Sequence, residues 1–162
     1  MIKQSPAPTD AGDEGGSKEV AVNVGQRNVP DTPANRQLDA CLKARELAEH
    51  TIRCCGNRKI FLPEYDGGIT NDLLTAAKKI YICAWTANNV RVDDSAEKWQ
   101  RRNKLQEEAA LQCNNLLALL SLAHSLFHLK SKRVAYWAKM TIETRGLIRK
   151  WHEADVKRYG KL

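Results

Sequence analysis

Two histidines, His124 and His128, have the spacing that most resembles a site for metal chemistry. Four residues apart on a predicted helix, they project from one helix face, as two imidazole ligands of a metal ion do. A metal ion needs further ligands, and His50, His152 or Glu143 would have to supply them from other helices. Because no Glu-x-x-His pair of the di-iron type is present, we favour packed or hydrogen-bonded histidines and expect neither a metal nor another cofactor.

Motifs of catalytic sites are missing from the sequence. It contains no G-x-S-x-G, no Walker loop, no G-x-G-x-x-G and no H-E-x-x-H. The five cysteines show neither a C-x-x-C motif nor regular spacing, which favours reduced, mostly buried thiols in a cytoplasmic protein. The sequence therefore predicts a protein that is not an enzyme.

Positive charge dominates the last third of the chain. Residues 129–162 contain ten Lys and Arg against three Asp and Glu, a net charge of +7 that equals that of the whole chain. So much like charge on a rigid surface repels itself, and nucleic acid is the commonest partner that relieves the repulsion. The candidate nucleic-acid-binding residues, called here the eight candidate cations, are Lys130, Lys132, Arg133, Arg145, Arg149, Lys150, Lys157 and Arg158. The open alternative is a solvated face with pairs inside the helix, such as Lys139 with Glu143 or Glu153 with its neighbours.

Four helices must position these side chains. The first helix is predicted to start near Thr32, with Thr32 or Asp31 as its cap, the second at Thr70 and the third at Asp94, and Ser131 can cap the fourth. The predicted ends are near Gly56, Asn89, Leu129 and Tyr159. Asp94 is predicted to cap the third helix with Glu97 in the capping-box position. Short connections favour an all-α fold, an antiparallel up-down four-helix bundle, over a helical array of different hand.

The third helix is predicted to combine a basic beginning with an apolar core face. Arg101, Arg102 and Lys104 form a second basic cluster near its start, whereas Leu116 and Leu117 belong to the apolar part.

Two pairs of residues inside the apolar stretches need separate interpretation. Asn114 and Asn115 indicate a buried amide network or a device that fixes the register of contacting helices. Trp137 and Trp151 share the apolar stripe of the fourth helix, so we interpret them as core anchors and not as platforms for bases.

Residues 1–31 differ in character from residues 32–162, which form the predicted bundle domain. The first segment has no apolar periodicity and contains three Lys and Arg against five Asp and Glu, so the remainder carries +9. We interpret it as a disordered, mildly acidic tail, either a solvated leader or a competitor that masks the basic surface. The chain has no apolar run of membrane-spanning length and no secretory signal layout.

The second half of the chain resembles a known family. The segments that carry the resemblance are Cys113–Leu117, Ala123–Leu129, Tyr136–Trp137, Leu147–Trp151 and Asp155–Tyr159. They look like the accessory variability determinant proteins of diversity-generating retroelements, which are similar in turn to four-helix proteins encoded in ribosomal RNA intervening sequences. The resemblance covers roughly residues 36–161 and is best from Ala109 onward.

This resemblance implies a homopentamer of four-helix bundles that has no catalytic residues of its own. Such proteins bind nucleic acid through basic surfaces and partner a retroelement reverse transcriptase in mutagenic retrohoming. Carried over to this sequence, seven of the eight candidate cations, all but Lys130, are the candidates for contact with RNA or DNA. Tyr136, Met140 and Ile142 are candidates for the subunit interface. The alternative is a helical scaffold or protein-interaction module of the intervening-sequence type, without a reverse transcriptase.

Overall fold

Four long helices make up the fold, in a computed structural model that describes residues 32–162. They are α1 (Pro33–Cys55), α2 (Asn71–Asn89), α3 (Ala96–Leu126) and α4 (Ser131–Tyr159). A 3-10 turn at Pro63–Tyr65 and a π turn at Asp66–Thr70 join α1 to α2, and the described residues contain no strand. The all-α prediction is therefore confirmed, whereas the predicted tail, residues 1–31, lies outside the described residues.

The helices form an antiparallel up-down bundle, as predicted. Each helix packs against its neighbours in the chain, and α4 closes the ring against α1. Two contacts show that α1 and α4 run in opposite directions. Trp137 Nε1 donates to Thr51 Oγ1 at 3.0 Å, and Thr144 Oγ1 lies 3.5 Å from the carbonyl oxygen of Lys43. Moving forward along α4 therefore means moving backward along α1.

The start of α3 differs from the prediction by one residue. Ser95 is the cap, since its Oγ accepts a hydrogen bond from the backbone N–H of Lys98 at 3.3 Å. Asp94 is therefore not the cap, and Glu97 falls one position short of the place that a capping box requires. The preceding Asp93 has a φ of 48°, and this left-handed turn delays the helix start.

The end of α3 also differs from the prediction. α3 ends at Leu126 and not at Leu129, because the chain turns at His128, whose φ is 48°. Ser131 is the first residue of α4, so Lys130 occupies the cap position without a capping side-chain hydrogen bond. The connection nevertheless makes α3 and α4 the predicted tight hairpin.

The core is centred on two tryptophans of α4. Trp137 and Trp151 are 0% and 1% exposed, which confirms their interpretation as anchors. α3 contributes Leu116, which is fully buried, but Leu117 is only half-buried. The prediction of Leu117 as a core residue is therefore only partly right, since a step of one residue turns a helical side chain by about 100°.

Leu116→Ala is expected to lower the free energy of unfolding by about 2–5 kcal/mol, because truncating a fully buried leucine leaves a cavity. Leu117→Ala is the matched control and is expected to cost less than half as much. Urea denaturation followed by circular dichroism measures both. A Leu117 variant as unstable as the Leu116 variant would contradict this description of the core.

Candidate nucleic-acid interface

The eight candidate cations lie on the surface and have no carboxylate partner in the part of the chain that the structure describes. Seven are exposed and Arg145 is half-buried. Among residues 32–162, no Asp or Glu oxygen comes within 4.0 Å of any of the eight charged groups. The anticipated Lys139–Glu143 pair forms at 3.9 Å between exposed groups, but Glu153 pairs with neither of its cationic neighbours. Ion pairs within residues 32–162 therefore leave this positive charge uncompensated.

The hairpin tip holds three of these cations, Lys130, Lys132 and Arg133. It lies beside the end of α1, where burial lowers the pKa of His50 and the charges of Arg53 and Arg133 lower it further. A lowered pKa keeps this imidazole neutral at pH 7, so His50 adds no charge there. The positive potential of the tip comes from its Lys and Arg side chains.

Two arginines occupy the groove between α3 and α4. Arg145 Nη1 donates to Asn114 Oδ1 at 2.6 Å, and one turn later Arg149 lines the same groove. Beyond it, His152 Nε2 lies 2.6 Å from Asn103 Oδ1. The amide of Asn114 holds the Arg145 guanidinium in place and leaves its other N–H groups available for an anion.

The two asparagines predicted to mark a buried amide network are both exposed. Asn114 binds Arg145 as described, and Asn115 Nδ2 donates to Gln112 Oε1 at 3.3 Å. The prediction of a buried amide network is therefore wrong.

A column of four lysines runs along the outer face of α4. Lys132, Lys139, Lys150 and Lys157 are all exposed and are 7, 11 and 7 residues apart. At about 100° per residue their directions agree within about 20°, and the column is about 38 Å long. We call these four residues the lysine column. It is slightly longer than one turn of duplex DNA, which is about 34–36 Å.

Lys139 is absent from the eight candidate cations, and its predicted role was a pair with Glu143 inside the helix. The spacing of 7, 11 and 7 was readable in the sequence and would have identified it.

Two lysines of the column also border α1. Lys150 and Lys157 also line a groove of about 600 Å³ between α4 and α1, together with Asp39 and Glu153. Arg158 lies at the end of the bundle, with its guanidinium 5.2 Å from the centre of the Tyr159 ring. The structure thus divides the eight cations among the tip, the α3–α4 groove, the α1 side of α4 and the bundle end.

Arg102 does not belong to the second basic cluster predicted near the start of α3. Its side chain is 6% exposed, and its Nε donates to Asp155 Oδ2 at 2.8 Å. Gln106 Nε2 donates to the same oxygen at 2.7 Å, and Arg102 Nη1 donates to the carbonyl oxygen of Val90 at 3.1 Å. The guanidinium also lies 5.2 Å from the centre of the Trp151 ring. The sequence analysis did not predict this ion pair. Its signal was that Arg102 and Asp155 each occupy a position of the buried face of their helix.

The histidine pair considered for metal binding is separated by the end of α3. His124 is helical, but His128 follows the helix in a left-handed conformation, so the two do not share a helix face. Across residues 32–162 no group of three or more metal-ligating side chains comes together. The geometry on which a metal site depended is therefore not formed.

The cysteines are free thiols, and burial makes them poor nucleophiles. Burial raises the pKa of Cys55 and of Cys113 to about 12, so both thiols stay protonated at neutral pH. Cys54 Sγ lies 3.4 Å from His50 Nε2, but burial raises the pKa of that thiol as well. This histidine therefore does not accompany an activated thiolate.

Comparison with protein-family models, with curated proteins and with solved structures found no match. None of the helices within residues 32–162 combines the length and the hydropathy of a membrane-spanning segment.

Proposed function

We propose that this chain is a nonenzymatic nucleic-acid-binding subunit of a retroelement reverse transcriptase complex that acts in mutagenic retrohoming in the cytoplasm. The observation that supports nucleic-acid binding is the set of eight exposed or half-buried cations that form no ion pair within 4.0 Å among the described residues. The polymerase partner rests on the family resemblance of the second half of the chain.

Contacts to phosphate account for this surface better than contacts to bases. The lysine column presents ammonium groups on long flexible stems, which act as point charges towards a phosphate backbone. Arg145 and Arg149 add guanidinium donors that match a phosphate in the α3–α4 groove. No indole is available on this surface for stacking, because Trp137 and Trp151 are buried. Binding should therefore depend strongly on salt and little on base sequence.

A homo-oligomer, a pentamer by resemblance, is part of the proposal. Tyr136 and Ile142, two of the three candidate interface residues, are 57% and 49% exposed, so their apolar surface is accessible to a second subunit. Met140 is half-buried and packs against the core, so it supports this interface less. A ring of like subunits would place several basic surfaces along one polyanion.

A second candidate function, a protein-interaction scaffold, is favoured by apolar side chains on a different face. Leu38 and Leu42 on α1 are 52% and 44% exposed, and Trp85 on α2 is 50% exposed. Trp is prominent among residues that dominate protein interfaces. These side chains lie away from the lysine column, so both functions are physically compatible.

A salt titration distinguishes the two candidates. Fluorescence anisotropy with labelled duplex DNA, single-stranded DNA and RNA should show binding at 50 mM salt. On duplex DNA, log K should fall with log salt concentration with a slope of about −4 or steeper, since each phosphate contact contributes about −0.9. The scaffold function without nucleic acid predicts no binding even at low salt. Co-purification with a reverse transcriptase encoded beside the gene tests the partner separately.

A further inference from the structure

A long stretch of α3 carries no charge on any of its faces. Residues 109–126 of α3 contain no Asp, Glu, Lys or Arg, although 28% of the chain is charged. Burial does not explain this composition, because several of these residues face solvent. Leu111, Leu122 and Leu126 are 51%, 56% and 41% exposed, and Ala118 is exposed as well.

The solvent-facing residues of this stretch form a regular stripe, which we call the α3 seam. It consists of Leu111, Asn115, Ala118, Leu122 and Ser125, and all five are exposed. Their spacing of 4, 3, 4 and 3 residues is the repeat of a helix that packs lengthwise against another helix. The seam is about 21 Å long. Its one amide, Asn115, stands at a position where a single asparagine fixes the register of parallel coiled-coil helices.

Charge favours a second copy of this chain as the occupant of the seam. Two copies whose described residues each carry +9 repel one another wherever their basic faces meet. A neutral strip is the place where identical molecules approach without opposing like charges. The charges on the two sides of the seam are opposite in sign. On one side, Asp72 of α2 lines a groove together with Asn115. On the other side, Arg145 of α4 donates a hydrogen bond to Asn114.

We propose that the α3 seam pairs with the same seam of a second copy, with the two helices parallel and in register. Ala118 then faces Ala118 of the second copy, where two small side chains let the helices approach closely. Asn115 hydrogen-bonds its own counterpart, and Asp72 comes opposite Arg145 of the second copy. This contact goes beyond the proposed function, because it needs no nucleic acid. In a cyclic pentamer, each interface joins two different surfaces of neighbouring subunits. A contact between two identical α3 seams would therefore be an additional interface.

Disulfide trapping in the full-length chain tests the pairing. Ala118→Cys and Leu111→Cys variants are treated with diamide, without nucleic acid, and covalent dimers are measured on non-reducing gels over a concentration series. Both variants are expected to form dimers at least tenfold faster than Leu38→Cys, a matched exposed leucine on α1. The unmodified chain gives the background from its own cysteines, of which four are buried. Circular dichroism of each variant confirms that its helices are intact.

Two results would overturn the proposal. Trapping of Ala118→Cys no faster than that of Leu38→Cys would mean that the seam does not pair with itself. Trapping of Ala118→Cys without that of Leu111→Cys would mean that the helices are antiparallel and the proposed register is wrong. Neither result bears on nucleic-acid binding, which the salt titration measures independently.

Discussion

Asp155→Ala is expected to lower the free energy of unfolding by about 3–5 kcal/mol, one of the largest effects of any single substitution in this chain. The substitution leaves the Arg102 guanidinium buried without its carboxylate, and it also removes the acceptor of the Gln106 amide. Desolvation of the guanidinium is then uncompensated, which costs more than the loss of the ion pair itself. Urea denaturation measures the change.

Glu153→Ala is the matched control, because Glu153 lies two residues earlier on α4, is exposed and has no ion pair among the described residues. It is expected to change stability by no more than about 0.5 kcal/mol. If Asp155→Ala were as mild as this control, the buried pair would not contribute to the fold as described.

Replacing both charges should recover much of the loss. Arg102→Met with Asp155→Leu removes the two buried charges together, and such exchanges are often neutral or stabilising. The pair is also imperfectly satisfied, since Arg102 Nη2 and Gln106 Oε1 have no hydrogen-bond partner in the described structure. A double variant less stable than Asp155→Ala would show that the packing around these side chains, and not their charge, dominates.

Replacing the four residues of the lysine column with Gln is expected to weaken nucleic-acid binding by on the order of 10²–10³-fold at 0.1 M salt. Each lost phosphate contact removes about 0.9 from the slope of log K against log salt on duplex DNA, so the slope should become shallower by about 3–4. Stability should change little, because all four side chains are exposed. Anisotropy titrations at several salt concentrations provide both quantities.

A control with the same change in net charge separates a binding surface from a general effect of charge. Lys59, Lys78, Arg101 and Lys104 are exposed and have no ion pair among residues 32–162, and they lie outside α4. Their replacement with Gln should lower affinity by less than tenfold. Equal losses in both quadruple variants would contradict a dedicated surface on α4. Arg145 and Arg149 changed together to Gln then show how much the α3–α4 groove adds.

Local sequence signals were sufficient for the number, type and approximate limits of the helices. Thr32 caps α1 as predicted, with its Oγ1 accepting from the backbone N–H of Asn35 at 3.3 Å, and α1 ends before Gly56. The errors fall at connections. Asp93 and His128 adopt left-handed conformations, and as a result α3 starts later and ends earlier than predicted. The sequence pattern does not indicate which single residue adopts such a conformation.

The sequence by itself determined that this chain is a basic four-helix bundle with an excess of cations in its final hairpin, because apolar periodicity and net charge are properties of residue order. Only the tertiary structure decided which charges face outward. Arg101 and Arg102 are neighbours in the chain, yet Arg101 is exposed and Arg102 is buried against Asp155 of α4. The physical reason is that a helix turns about 100° per residue, so whether a charge meets water or a distant carboxylate depends on the helix packed beside it.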